Sequence, residues 1–159
     1  MHVSAAHAAA NWLAFGVLFG LAYTYGHQQG LLRRFGLGCL LVWPLSTLSL
    51  IFCPQVTSYV GASGAVHGAA ALLGTLLVTA RARSVLGWAL LLGLAYKLWQ
   101  EQAWVIPVVW SPDWGFNVVQ VAHLYGAAVG GVVGLLMGPL MRLLECVLPV
   151  PWSSSRPQN

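Results

Sequence analysis

"AHLYGAAVGGVVGLLMG", Ala122 to Gly138, contains no Asp, Glu, Lys or Arg. Its apolar residues run on without two-residue alternation, so it reads as a helix and not as a strand. Gly126, Gly130, Gly134 and Gly138 recur every four residues, and at helical period such steps fall on one stripe. A glycine stripe lets a partner helix approach to backbone contact. His123 stands three residues before Gly126 and faces the same partner. An ionisable side chain in such a segment is a functional candidate by default. The plainer reading is a hydrogen-bonded structural histidine.

The whole chain shares this character. It has 159 residues, 58% of them hydrophobic and only 6% charged, where a soluble domain carries about 25% charged residues. That is too little polar surface to cover a water-facing globule, so the solvent is a bilayer. Continuous apolar runs favour helices over a membrane β-barrel. The 18 glycines and 8 tryptophans suit close helix packing and interfacial belts.

A spanning helix needs roughly 20 mostly apolar residues. Five segments meet or approach that length, at about His7–Tyr25, Phe35–Phe52, Ala62–Ala80, Ser84–Gln100 and Phe116–Leu136. Pro44 should kink the second. The membrane unit covers residues 1–146. Residues 147–159 read as a disordered cytoplasmic tail.

Charge sets the orientation. Arg33 and Arg34 lie between the first two segments, Arg81 and Arg83 between the third and fourth, and Arg142 and Arg156 after the fifth. The two other connections hold no Arg or Lys, and Lys97 lies within the fourth segment. The positive-inside rule makes the arginine side cytoplasmic. The net charge of +4 lies mostly in these short loops and does not read as nucleic-acid binding. Cys39, Cys53 and Cys146 form no CxxC pair, which argues against a disulfide framework or a zinc site. No HExxH occurs. No metal and no cofactor are expected.

This orientation gathers polar residues near the outer face: His2, His7 and Asn11 on the first helix, Ser63 on the third, Lys97 and Glu101 on the fourth, and His123 on the fifth. In "GASGAVHG", Gly61–Gly68, the serine begins a helix, where free N–H groups and the dipole favour a developing negative charge. Gly61 and Gly64 let the backbone turn and approach closely. The plain alternative is packing, since Gly64 and Gly68 are four apart. His67 follows Ser63 by four residues and is a rival base by spacing; a pocket wall or a packing partner of His123 is the preferred reading. His7 and Asn11 share a face and both can donate hydrogen bonds. Lys97 and Glu101, also four apart, can pair.

Three motifs together resemble the rhomboid intramembrane serine proteases: "HVSAAHAAAN" at His2–Asn11, "GASG" at Gly61–Gly64 and "AHLYGAAVG" at Ala122–Gly130. They match that family's HxxxxHxxxN, GxSG and AHxxGxxxG in order and in spacing. The resemblance implies an all-α polytopic transmembrane helix bundle with a six-helix core, of which five helices are visible. It implies a Ser63–His123 dyad with no third acid, and an oxyanion hole from the Ser63 N–H, His7 and Asn11. His2, His67, Gly61, Gly64 and Gly126 fall in supporting or pocket positions. His67 replaces the family's usual tyrosine, and with "SGAVHG" and "KLWQEQ" this is similar to the rhombosortase branch.

The implied function is cleavage of a peptide bond near the extracytoplasmic face, in C-terminal sorting helices of exported proteins bearing a Gly-Gly type signal. The implied setting is the inner membrane of a bacterium, with the site facing the periplasm or exterior. Membrane lipid and membrane-anchored protein substrates are the expected partners. Because the family's first core helix precedes HxxxxHxxxN, a missing upstream helix is also expected. Two alternatives stand beside this reading: a catalytically inactive rhomboid-like binding protein, and a bis-histidine haem membrane protein using His67 and His123.

Overall fold

The described residues, 4–26, 30–80 and 84–147 of the computed structural model, form five α-helices. In chain order these are α1 (Ala5–Gly26), α2 (Leu31–Leu48), α3 (Ser63–Ala80), α4 (Val85–Glu101) and α5 (Gln120–Val147). A 3₁₀ turn at Ser49–Phe52 extends α2, and a hairpin of β1 (Val108–Ser111) and β2 (Phe116–Val119) joins α4 to α5. His2 and the tail from 148 onward lie outside the described residues.

Local chemistry explains the helix starts. Ser4 Oγ accepts from the His7 N–H at 3.2 Å, capping α1. Ser84 does the same for α4, accepting from the Gly87 N–H at 3.1 Å. Gly30, with φ of 64°, turns the chain into α2 in a left-handed conformation that glycine adopts without strain. Pro44 lies inside α2, which continues to Leu48 before tightening into the 3₁₀ turn. The Ser46 and Thr47 hydroxyls both donate to the Trp43 carbonyl beside it.

The last helix differs from the expectation at both ends. Residues 116–119, expected to open it, are instead strand β2, paired antiparallel with β1 in the register Val108↔Val119 to Ser111↔Phe116. Gly115, at φ 70°, closes the turn, its N–H reaching the Ser111 carbonyl at 2.9 Å. α5 then starts at Gln120 and runs through Pro139 to Val147, past the expected end at Leu136. The mostly apolar composition of 137–147 sustains the helix.

Among the described residues, four helical segments are long and apolar enough to cross a membrane: Ala5–Tyr25, Leu31–Phe52, Ser63–Ala80 and Gln120–Met141. At 17 residues α4 falls short of the roughly 20 a perpendicular span needs. α3 is the central element, packed against each of the other four helices. Ala69, Leu72 and Leu73 on α3 meet Phe35 and Val42 of α2 and Val133 and Met137 of α5 in one apolar core. Large apolar side chains elsewhere point outward, among them Trp12, Leu13, Leu40, Leu92 and Leu135. In water such a surface would be an aggregation hazard; against lipid it is the ordinary exterior.

The glycine stripe sets the closest helix contact. A Cβ placed on Gly126 would stand 2.0 Å from the Gly64 carbonyl oxygen, and one on Gly130 1.9 Å from that of Gly68. α3 and α5 therefore touch backbone to backbone over two turns. Gly134 meets Thr75, while a Cβ on Gly138 would meet nothing within 4 Å. The stripe is structural through Gly134 and idle beyond it.

Candidate active site

Four helix ends converge at one end of the bundle. Ser63 is the first residue of α3, Glu101 the last of α4, His123 lies in the first turn of α5 and His7 in the first turn of α1. His123 is thus one turn from its helix start, shallower than a helix beginning at Phe116 would place it.

His123 is buried, only 5% exposed. Its Nδ1 lies 3.0 and 2.9 Å from the two Glu101 carboxylate oxygens. A carboxylate only accepts, so Nδ1 carries the proton and donates. Nε2 is buried with no hydrogen-bond partner among the described residues. When the ring is neutral, Nε2 then holds a free lone pair, the form a general base requires.

Glu101 is held on two sides. Lys97, one turn earlier on α4, pairs with its Oε1, as the four-residue spacing suggests. The Glu101 side chain is 9% exposed and that of Lys97 52%. A carboxylate at a helix C-terminus sits at the negative end of the dipole. Lys97 and His123 offset that unfavourable placement. The sequence resemblance gives Ser63 and His123 no third acid; the structure places one on His123.

His67 is the packing partner of His123. The rings stack with centroids 4.0 Å apart and planes 8° from parallel. His67 Nδ1 donates to the Ser63 carbonyl at 2.7 Å, an acceptor-only group that fixes this tautomer too. His67 is thereby tied to the backbone of Ser63 and lies over the ring of His123. Ser63 as a residue is 9% exposed, and its hydroxyl makes no hydrogen bond to either ring among the described residues.

The start of α3 is fixed from below. Tyr59 Oη accepts from the Gly64 N–H at 3.1 Å. The Ser63 N–H is among the terminal donors with no intrahelical acceptor. Gly61 and Gly64 do not adopt positive φ, so neither is needed for a left-handed turn. Gly64 serves close approach instead: a Cβ there would stand 2.8 Å from the Ala122 carbonyl oxygen. Gly61 is less constrained, since a Cβ there would reach only ordinary contact with the Tyr59 ring.

His7 sits edge-on to Trp114 and Phe116, with centroids 5.0 and 5.2 Å away. Its Nδ1 is buried without a partner among the described residues. The hairpin segment thus covers the first turn of α1. Asn11 lies one turn further along α1, half-buried. No hydrogen bond joins His7 or Asn11 to the side chain of Ser63 or His123 among the described residues. The structure thus gathers Ser63, His67, Glu101 and His123 closely and sets His7 and Asn11 on the adjoining helix.

Sequence reading missed Tyr59, Trp114 and the Glu101–His123 contact. The signal for the last was a lone acid at the end of an apolar segment in a chain with only three Asp and Glu.

Ligand atoms of His67, Glu101 and His123 fall within 4.8 Å of one another. A metal held by two imidazoles needs nitrogen lone pairs that converge on one point about 2.0–2.1 Å from each. Lone pairs lie in the ring planes, and here the planes are stacked and nearly parallel. Both Nδ1 atoms are already engaged. The same stacking leaves no space for a macrocycle between the two rings as they stand. What the arrangement does offer is an oriented imidazole with one free nitrogen beside a helix-initiating serine. Comparison with protein-family models, with curated proteins and with solved structures finds no match.

Proposed function

We propose that this protein is an intramembrane serine protease of the rhomboid type, with Ser63 as nucleophile and His123 as base. The observation that carries the reading is the state of His123: buried, held through Nδ1, with Nε2 unpartnered among the described residues, beside the N-terminus of the helix that Ser63 begins. The resemblance of "GASG", "AHLYGAAVG" and "HVSAAHAAAN" to the family motifs supports it. A structural histidine buried in an apolar bundle would be expected to pair both nitrogens.

In the proposed reaction, a serine rotamer change brings Oγ toward His123 Nε2. Such contacts are often loose before substrate binds. Oγ attacks the scissile carbonyl carbon as its proton passes to Nε2. The tetrahedral oxyanion is held by the Ser63 N–H, with His7 and Asn11 as further donors. The C–N bond breaks, and the Nε2 proton goes to the leaving amine. Water then gives a proton to Nε2 and attacks the acyl carbon; the C–Oγ bond breaks, Nε2 returns that proton to Oγ, and the acid leaves with Ser63 and neutral His123 restored. His67 supplies a flat wall that keeps the His123 ring from swinging.

The proposed substrates are membrane-anchored proteins cut close to the outer face of a bacterial inner membrane, with Gly-Gly type sorting tails as the favoured class. The arginine distribution supports that facing.

Purified protein in liposomes, mixed with a single-span reporter carrying such a tail, should yield two fragments. An intact reporter in the presence of folded protein, across tails of differing sequence, would refute the reading.

A further inference from the structure

We infer that Glu101 is a positioning residue for His123, so that the site works as a Ser63–His123–Glu101 relay with Lys97 as the carboxylate's counter-charge. The inference rests on the protease reading above and adds a residue whose role the motifs do not supply.

Three observations carry it. First, both Glu101 oxygens lie within 3.0 Å of His123 Nδ1, across 22 residues of sequence. Neutral imidazole has two tautomers, and only the one protonated at Nδ1 leaves Nε2 free to accept the serine proton. A carboxylate at Nδ1 selects that tautomer. It also stabilises the imidazolium that forms when Nε2 takes the proton.

Second, the placement of Glu101 is costly unless it is used. Its side chain is 9% exposed, and it sits at the C-terminal end of α4, where the dipole repels an anion. Gln102 follows in a left-handed conformation at φ 48° and ends the helix there, its N–H closing onto the Leu98 carbonyl. The chain thus terminates α4 where the carboxylate meets α5.

Third, Lys97 pairs with Glu101 Oε1 while staying half exposed itself, and Oε2 is left to His123 Nδ1. A glutamate with only His123 as partner would be a buried, singly compensated charge. With Lys97 the carboxylate keeps its charge while its lone pairs remain available to Nδ1.

The tautomer is directly readable, independent of any substrate. In ¹⁵N-histidine-labelled protein in lipid nanodiscs, His123 should show a protonated Nδ1 and an unprotonated Nε2. In Glu101→Gln the amide can donate to or accept from Nδ1, so the His123 signals should move toward the other tautomer or a mixture. Glu101→Asp, which keeps the charge, should restore the wild-type tautomer at least in part and controls for misfolding. Reporter cleavage by Glu101→Gln should fall by at least about 100-fold, since losing the tautomer-fixing carboxylate of a serine triad lowers turnover by up to about 10⁴-fold.

An unchanged His123 tautomer in folded Glu101→Gln overturns the inference, as does cleavage within about twofold of wild type. If the tautomer shifts as stated but wild-type protein cleaves no reporter, the protease reading fails and the control of His123 by Glu101 stands.

Discussion

Ser63→Ala and His123→Ala should each lower reporter cleavage by at least about 10³-fold, and the double variant should be no slower than either single one. The two side chains are expected to act as a unit: without the base the hydroxyl is a weak nucleophile, and without the hydroxyl the base has nothing to activate. Independent roles would instead multiply. The residual rate should come from the Ser63 N–H and the other oxyanion donors, which both single variants retain. Neither variant should lose the fold. Ser63 contributes no side-chain hydrogen bond to either histidine among the described residues, and the closest α3–α5 approach, at Gly126 and Gly130, and the apolar core beyond it do not involve the His123 side chain. Single-turnover cleavage in liposomes, with thermal melting as the fold control, measures all four proteins. Multiplicative losses would separate the two residues and contradict a shared step.

The second large effect is on stability. Gly130→Ala and Gly131→Ala make the same chemical change one residue apart, and their effects should have opposite signs. On Gly130 the new methyl would lie 1.9 Å from the Gly68 carbonyl oxygen and under 3 Å from two more backbone atoms. Backbone cannot rotate aside as a side chain can, so α3 and α5 must separate by about 1 Å, with loss of close packing along both helices. The expected cost is about 2 kcal/mol. On Gly131 the methyl meets nothing within 4 Å, and removing a helical glycine is stabilising by about 0.5–1 kcal/mol. Unfolding measured in the same detergent or bicelle for both variants gives the sign directly. Because the separation also draws Gly64 from Ala122, Gly130→Ala should lose cleavage beyond its loss of folded protein. Gly131→Ala should not.

Much of the architecture is legible in the sequence because membrane solvent simplifies the code. Long apolar runs with few charges leave helices as the economical way to satisfy the backbone. The spacing of the glycines at 126, 130 and 134 by itself marks the face of closest approach. Gly138 follows the same period but meets no neighbour, since spacing reports a stripe and not where the partner ends. The hairpin is not legible. "FNVV" runs straight into "QVAHLYG" with no change of polarity, and only Pro107, Pro112 and Gly115 hint at a turn.

The site divides the same way. The pairing of His67 with His123 is readable in outline, because both belong to motifs on helices that the glycines press together. The Lys97–Glu101 pair follows from spacing along one helix. The Glu101–His123 contact joins the end of one helix to the start of another across the hairpin, and no local pattern encodes such a meeting. It depends on where α4 stops, which the left-handed Gln102 decides.

The most direct test is covalent. A fluorophosphonate bonds to a serine hydroxyl only where that hydroxyl is activated. Intact-mass and peptide analysis of the purified, folded protein should show one adduct, on Ser63. That adduct should be absent from Ser63→Ala and reduced at least about 100-fold in rate in His123→Ala. Folded wild-type protein that takes no adduct at Ser63, or takes it equally fast without His123, would contradict the account.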